Sequence, residues 1–173
     1  MRIIAGTRKG HNIQAPPGRG TRPTSDRVRE NIFNILGPID DAVVLDLYAG
    51  SGALGLEALS RGAARAVFVE RDGAAARVIE QNLDKLRLHG TVLRQDAVAV
   101  VAAETRKYDL VLVDPPYEMY GDIEPQLARY LPRLLAADGV VVVETDVKVQ
   151  PQLPLEERTS RRYGSVRVTV YDA

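Results

Sequence analysis

Val43-Val44-Leu45-Asp46-Leu47-Tyr48-Ala49-Gly50-Ser51-Gly52-Ala53-Leu54-Gly55 is apolar in its first half and glycine-rich in its second. Residues 43–48 form a short run that is apolar apart from Asp46, the pattern of a strand buried on both faces. Gly50 and Gly52 permit a tight turn and a close approach of backbone to a ligand. The chain then continues as a helix ending near Gly62. This succession recurs downstream. Residues 66–70 predict a second strand, followed by a helix with Ile79, Leu83 and Leu86 on one face and Gly90 past its end. Residues 92–96 predict a third strand and a short helix, and residues 108–113 a fourth strand. Ile123, Leu127, Leu131 and Leu134 line a further helix before a fifth strand at 140–143. Near-continuous apolar strands alternating with helices imply an α/β fold with a mostly parallel sheet covered on both faces. Val166, Val168 and Val170 alternate with Arg167 and Thr169, which predicts an antiparallel edge strand. Residues 147–162 carry no readable signature.

The fourth predicted strand runs into Asp114-Pro115-Pro116-Tyr117. Two successive prolines cannot continue a ladder, so the strand stops there. A carboxylate, unladdered carbonyls and an aromatic ring then project from the carboxyl end of the sheet, where α/β folds bind ligands.

Gly50-x-Gly52-x-x-Gly55 matches a dinucleotide fingerprint, and Glu70, ending the second strand, stands where ribose hydroxyls would be held. Asp46 discriminates between cofactors. A carboxylate just before the glycine turn repels a pyrophosphate, whereas the sulfonium and ammonium of S-adenosylmethionine attract it. Asp96, ending the third strand, is placed to accept from an adenine amino group beside the Ala97 backbone, and to cap the helix that follows.

Composition narrows the chemistry further. The 173 residues contain no cysteine and only two histidines, His11 and His89, so thiolate chemistry, disulfides and a histidine metal cluster are excluded. His89 reads as a surface residue. There is no 18-residue apolar run and no leader-like start, which predicts a soluble cytoplasmic protein without membrane contact. The formal net charge is zero, yet residues 1–29 hold seven basic side chains against Asp26 alone. A basic arm on an acidic body suggests a polyanionic partner. Within it, Arg2-Ile3-Ile4-Ala5-Gly6 and His11-Asn12-Ile13-Gln14 predict a hairpin around Thr7-Arg8-Lys9-Gly10, and Pro16-Pro17-Gly18-Arg19-Gly20 a loop. Thr24-Ser25-Asp26 offers capping oxygens for a helix carrying Val28, Ile32, Ile35 and Leu36 on one face and ending at Gly37-Pro38. Arg27 and Arg29 are assigned to the surface of that helix.

Asp46-x-x-x-Gly50-x-Gly52, Glu70, Asp96 and Asp114-Pro-Pro-Tyr117, in this order, resemble class I S-adenosylmethionine-dependent methyltransferases acting on planar amino groups. Three longer stretches extend the likeness: residues 2–10, Arg22-Pro-Thr-Ser-Asp-Arg27-Val-Arg29-Glu30, and residues 46–63. With them the whole chain resembles the bacterial 16S rRNA guanine-N2 methyltransferase family of the guanine 966 type. Tyr117 stands where that family often has phenylalanine. The resemblance implies a Rossmann-like, seven-stranded, mostly parallel sheet with helices on both faces and its last strand inserted antiparallel. It also implies a basic hairpin-and-loop extension over residues 1–24 and a methyltransferase domain over 25–173. The cofactor contacts it implies are Asp46, Tyr48, Ala49, Gly50, Ser51, Gly52, Glu70, Arg71, Asp96, Ala97 and Asp114, with Thr24 over the methionine end. The catalytic residues it implies are Asp114, Pro115, Pro116 and Tyr117. Arg2, Arg8, Lys9, Arg19 and Arg22 are expected to contact RNA, and no metal is required. S-adenosylhomocysteine is the expected product, 16S rRNA in an assembling small subunit the expected partner, and a monomer the expected state. Adenine-N6 or glutamine-N5 methylation is the rival chemistry, although glutamine enzymes typically carry Asn where Asp114 stands. An NAD-linked oxidoreductase and an inactive RNA-binding assembly factor are rivals of other classes.

Overall fold

The computed structural model describes residues 1–18 and 24–173. Five helices, α1 (Asp26–Leu36), α2 (Ala53–Ser60), α3 (Gly73–Leu86), α4 (Ala97–Ala103) and α5 (Tyr120–Leu134), surround seven strands. These are β1 (Val43–Leu47), β2 (Arg65–Val69), β3 (Thr91–Leu93), β4 (Tyr108–Val113), β5 (Leu135–Asp146), β6 (Glu156–Tyr163) and β7 (Val166–Asp172). They form one sheet in the order β3-β2-β1-β4-β5-β7-β6. β3 through β5 run parallel, whereas β7 is antiparallel to both β5 and β6. The seven-stranded Rossmann-like architecture expected from the sequence is therefore present.

The alternation of side chains across each strand divides the core into two layers. Val44, Phe68, Leu110, Leu112 and Val142 pack beneath α1, α2 and α3. Leu45, Leu47, Val69, Val111, Val113, Val141 and Val143 pack on the other face against α4 and α5. Asp46 lies between Leu45 and Leu47, so it faces the α2 layer with Val44.

Several expectations need correction. β7 is not an edge strand. It lies between β5 and β6, with Val168, Thr169 and Val170 fully buried. The true edge is β6, in residues whose sequence showed no pattern, because all of Glu156–Tyr163 stay at least partly exposed. β1 stops at Leu47 because Tyr48 turns to φ 58°. β3 is shorter than expected, and β5 much longer. α3 is terminated by Arg87 in the left-handed region, three residues before Gly90.

Arg29 departs furthest from expectation. It is fully buried, while Arg27 is exposed. The Arg29 guanidinium meets Glu57, itself fully buried, at 3.4 Å, and Asp26 at 3.0 Å. It also donates to the Thr24 carbonyl at 3.5 Å and to the Arg2 carbonyl. Glu57 accepts the backbone N–H groups of Ile4 and Ala5 at 2.9 and 3.0 Å and the Arg61 guanidinium at 2.8 Å. The expected hairpin is present as a short antiparallel pair: about the Arg2–Asn12 bridge the Ile3 N–H donates to the His11 carbonyl at 2.9 Å, the Gly10 N–H to the Ile3 carbonyl at 2.8 Å and the Ile13 N–H to the Met1 carbonyl at 2.9 Å, and α2 holds it in place. Ile3 and Ile13 are buried in the core. Gly6 sits at φ +83° against α2, where a Cβ would fall 1.8 Å from the Ser60 carbonyl oxygen, so no other residue fits. At the far end of the arm, Asn82 exchanges hydrogen bonds with the Gln14 backbone at 2.9 and 3.0 Å and donates to the Ser51 carbonyl at 3.0 Å.

Removing one partner of a buried ion pair leaves the other charge uncompensated. Glu57→Gln is expected to lower stability by about 3–5 kcal/mol, read from the urea midpoint at unchanged slope. A loss under about 1 kcal/mol would show that the arm is not anchored there.

Candidate active site at the carboxyl end of the sheet

The parallel register sets the site. Leu47 pairs with Val69 and with Val113, and Val113 pairs with Val143. The residues one step beyond form a row across four strands: Glu70, Tyr48, Asp114 and Glu144. A cavity of about 500 Å³ opens over this row. Its wall includes Asp46, Tyr48, Ala49, Gly50 and Ser51 from β1 and the turn after it. Glu70 and Arg71 follow from the end of β2, Asp96 and Ala97 from the start of α4, and Asp114, Pro116 and Tyr117 from the loop after β4. Thr24 closes one side, directly before α1.

Two expected members stand elsewhere. Gly52 does not border the cavity: its φ is +82°, and an added Cβ would meet Ile79 at 3.2 Å, so it serves the packing of α2 on α3. Pro115 is buried and does not border the cavity either. Arg19 and Arg22 lie outside the described residues. Arg2 and Lys9 are exposed, whereas Arg8 donates to the Leu86 and Arg87 carbonyls at 2.5 and 3.2 Å and so closes the end of α3. Met1, Ala15 and Pro16 of the arm also wall the cavity, a contribution sequence reasoning missed.

Each carboxylate has a distinct setting. Glu70 accepts the Gly50 N–H at 2.9 Å and the Asp72 N–H at 2.8 Å, which binds the glycine turn to the end of β2. Asp96 caps α4 through the Ala99 N–H at 3.0 Å. Asp46 accepts the Gly55 N–H at 2.9 Å. Burial pushes its carboxyl up to about 8, with the Gly55 hydrogen bond opposing and the Glu70 charge adding to the rise.

Asp114 is half-buried and opens onto the cavity, while Glu144 beside it is 3 % exposed. The Thr24 hydroxyl lies between them, 2.9 Å from Asp114 Oδ2 and 2.8 Å from Glu144 Oε2. The Tyr117 hydroxyl donates to Glu144 Oε1 at 3.0 Å. Burial first, and the Glu144 charge second, hold the Asp114 carboxyl well above the usual carboxylate range, against the Thr24 hydrogen bond. Solvent reaching Asp114 through the cavity tempers that rise. Glu144 was not singled out in the sequence. The rule that selected Glu70 and Asp114, an acid ending an apolar strand run, finds it as well.

The residues present suit a cationic nucleoside-containing ligand. The buried Tyr48 hydroxyl has no hydrogen-bond partner among the described residues and stands on the wall near Asp96 and Arg71. No side chain crowds the Gly50 turn, where a Cβ would have nothing within 4 Å. The Asp46 carboxylate in the same wall disfavours an anion. Among the described residues no group of three or more potential ligands could hold a metal ion.

The family model described as conserved hypothetical protein 95 matches residues 1–172. The chain is 40% identical over 151 residues to ribosomal RNA small subunit methyltransferase D of Escherichia coli K12, covering 86% of this chain and 76% of that protein. It is 38% identical over 179 residues to the protein of the same name from Haemophilus influenzae, covering 99% and 91%. Among solved structures, a hypothetical protein of Thermus thermophilus superposes with a TM-score of 0.86 at 29% identity, covering 100% of this chain and 99% of that one.

A carboxyl titrating near 8 when folded and near 3.8 when unfolded releases its proton on unfolding between those values. Stability of the ligand-free protein is therefore expected to fall as pH rises through that window. Asp46→Asn should flatten this dependence, read from thermal midpoints between about pH 5 and 8, while weakening S-adenosylmethionine binding. An unchanged pH dependence in the variant would show that Asp46 is not the group responsible.

Proposed function

The chain belongs to the conserved hypothetical protein 95 family, and from that premise we propose that it transfers a methyl group from S-adenosylmethionine to the exocyclic N2 amine of a guanine in 16S rRNA, of the guanine 966 type. The observation that carries this reading is the Asp114 carboxylate, set at the end of β4 by two prolines and facing the cavity that Asp46, Glu70 and Asp96 also border. The named relatives supply the substrate class, small-subunit rRNA. Guanine N2 rests on the family resemblance.

Asp46 is assigned the cationic end of the donor, Glu70 its ribose hydroxyls, and Asp96 with the Ala97 backbone its adenine. When bound, S-adenosylmethionine supplies an electrophilic methyl on sulfur and leaves as S-adenosylhomocysteine. The protein's remaining task is geometric and electrostatic. A guanine amine is a weak nucleophile because its lone pair is delocalised into the ring. Flipping the base out of its stack brings that amine into the cavity. Asp114 accepts one amine hydrogen, turns the nitrogen lone pair toward the methyl, and favours the positive charge that develops on nitrogen. The Pro115 carbonyl is assigned the second hydrogen, which requires the loop to turn it toward the cavity. The Tyr117 ring is assigned a stacking role worth about 1–3 kcal/mol, with its hydroxyl tethered to Glu144.

Residues 1–24 are assigned to RNA docking, on a protein acting as a monomer on an assembling subunit in the cytoplasm. Among the described residues no helix is long and apolar enough to cross a membrane. Arg2 reaches Asp26 at 3.4 Å yet keeps a largely exposed side chain, and Lys9 is exposed, so these two are the described arm residues best placed for phosphate.

Asp114→Ala is expected to keep S-adenosylmethionine binding by calorimetry and to lose tritiated-methyl transfer to small subunits. Retained turnover would remove Asp114 from the chemistry. Digestion of the product should release N2-methylguanosine, and N6-methyladenosine would overturn the substrate assignment. Lys9→Glu should weaken RNA binding and flatten the log–log salt dependence by about 0.7–0.9, the share of one phosphate that the side chain no longer neutralises. Arg8→Glu should in addition destabilise the fold, because Arg8 also caps α3.

A further inference from the structure

The row of residues at the carboxyl ends of the parallel strands does not stop at Glu144. Glu144 pairs with Val168 of β7, and Val168 with Arg161 of β6, so Arg161 continues the row that contains Asp114 and Glu144. Antiparallel partners that stand opposite one another share a face, which puts the Arg161 side chain on the same face of the sheet as Glu144. Three strand spacings of about 4.8 Å place its backbone about 14 Å from that of Asp114. One residue further, Arg162 pairs with Arg167 on the other face. Lys148 lies in the turn after β5, which the Val147 N–H ties to the Ser165 carbonyl of the β6–β7 turn at 2.9 Å. Arg161, Arg162 and Lys148 are exposed, and a Cβ added at Gly164 in the β6–β7 turn would meet nothing within 4 Å.

The charges at this corner are not balanced. Residues 146–149 and 160–167 hold Lys148, Arg161, Arg162 and Arg167 against Asp146 alone. Asp146 accepts the Lys148 backbone N–H at 2.9 Å. Among the described residues none of the four cations makes an ion pair. Arg162 and Arg167 are direct cross-strand partners, an arrangement of like charges that weakens a sheet. The Arg167 guanidinium is bound to neutral acceptors: the Val147 carbonyl at 3.1 Å, Gln150 Oε1 at 3.1 Å and Ser160 Oγ at 2.9 Å. Glu157 stands behind Gln150, which donates to it at 2.8 Å. Toward the other end of β6 the charge is compensated, with Arg158 bound to Asp172 and Glu156 and Glu157 beside it. The edge strand is thus basic toward the cavity and acidic away from it.

We propose that this end of the β6–β7 hairpin, with Lys148 beside it, is a phosphate-binding shelf that holds the RNA strand next to the nucleotide being methylated. This rests on the methyltransferase reading of the cavity. A base flipped into the cavity leaves its own phosphate and those of its neighbours at the mouth. The cavity wall is acidic, with Glu70, Asp72, Asp96 and Glu118 against Arg71, so the cations that neutralise the strand have to stand beyond the rim. The tip of the N-terminal hairpin is too distant to supply them. There the Thr7 N–H donates to the Ser60 carbonyl at 2.8 Å at the end of α2, and Arg8 donates to the Leu86 carbonyl at the end of α3. The 14 residues of α3 start beside the cavity wall and carry the chain about 21 Å away from it. Guanidinium groups on both sides of a strand end suit phosphate, which they grip through paired N–H donors. An acidic protein surface would meet the same charges. The row of paired residues leads from the shelf directly to the reacting groups, however, and it is the substrate strand that has to reach those.

Binding of the intact protein to protein-free 16S rRNA, followed from about 0.05 to 0.2 M salt, tests the shelf without reference to activity. Reversing both exposed arginines, Arg161→Glu with Arg162→Glu, should weaken binding on the order of tenfold and lower the log–log slope by about 1.4–1.8, two phosphates at about 0.7–0.9 each. The milder Arg161→Gln with Arg162→Gln should lower the slope equally at an unchanged urea midpoint, which separates lost contacts from a lost fold. Arg129→Glu, at an exposed position in the second half of α5, should leave the slope in place. An unaltered slope in both double variants, an equal loss in Arg129→Glu, or no binding by the wild type would each overturn the proposal. With small subunits as substrate, the Gln double variant should raise KM on the order of tenfold with kcat and S-adenosylmethionine affinity kept. A fall in kcat at unchanged KM would place these residues in the chemistry and overturn it. Methylation of subunits lost while binding to protein-free rRNA is kept would assign the shelf to a ribosomal protein and overturn the RNA assignment. If the wild type transfers no methyl group to any RNA, the functional reading fails, while the salt slopes still report whether the shelf holds RNA.

Discussion

One buried carboxylate, Glu57, joins three separate stretches of chain. It sits in the middle of α2 and takes the backbone of Ile4 and Ala5 and the guanidinium groups of Arg29 and Arg61. A buried ion is tolerated only when it is compensated on all sides, so the arm, α1 and α2 must close around it together. Arg29 transmits the constraint. It is fixed by Glu57 and Asp26, and it holds the Thr24 carbonyl just ahead of α1. Thr24 in turn lies against Asp114 and Glu144. The wall of the cavity nearest Asp114 is thereby tied to the Arg29–Glu57 contact.

The site carries an electrostatic strain that the core around it supports. Asp46 and Asp114 border one cavity with Glu144 buried behind it, and the first two are pushed upward chiefly by burial. Held there as carboxylates, Asp46 and Asp114 oppose folding. A ligand bearing a sulfonium and an ammonium relieves that opposition, so its binding energy is coupled to their ionisation. The strands beneath are close-packed on both faces and cannot relax by moving the acids apart. An arrangement that disfavours the apo state thus favours a cationic ligand over an anionic one, the discrimination anticipated from Asp46 alone.

Elements with local signals were legible. Buried strands show as apolar runs, helices as apolar stripes, and the end of β4 as two prolines. The acids Glu70, Asp96 and Asp114 were found because each ends such a run. β6 was missed because Glu156–Tyr163, an edge strand with both faces partly wet, needs no apolar alternation. β7 was mistaken for an edge because Arg167 and Thr169 suggested a wet face. Thr169 is in fact fully buried, and Arg167 is bound by Val147, Gln150 and Ser160. Arg8 and Arg29 were read as surface cations because a basic residue's partners, here α3 carbonyls and Glu57, lie far away in sequence.

The sequence by itself determined the parallel α/β architecture, the carboxylates at the strand ends and the preference for a cationic methyl donor, since each depends on residues close together in the chain. The tertiary structure alone decided which of those groups meet. Parallel register set Glu144 beside Asp114, and the Glu57–Arg29 contact brought Thr24 between them. It also moved Gly52 from ligand contact to helix packing and turned Arg8 from a free cation into a helix cap. Burial, charge state and hydrogen-bond partnership depend on neighbours in space, and for these residues those neighbours lie 27 to 120 positions away along the chain.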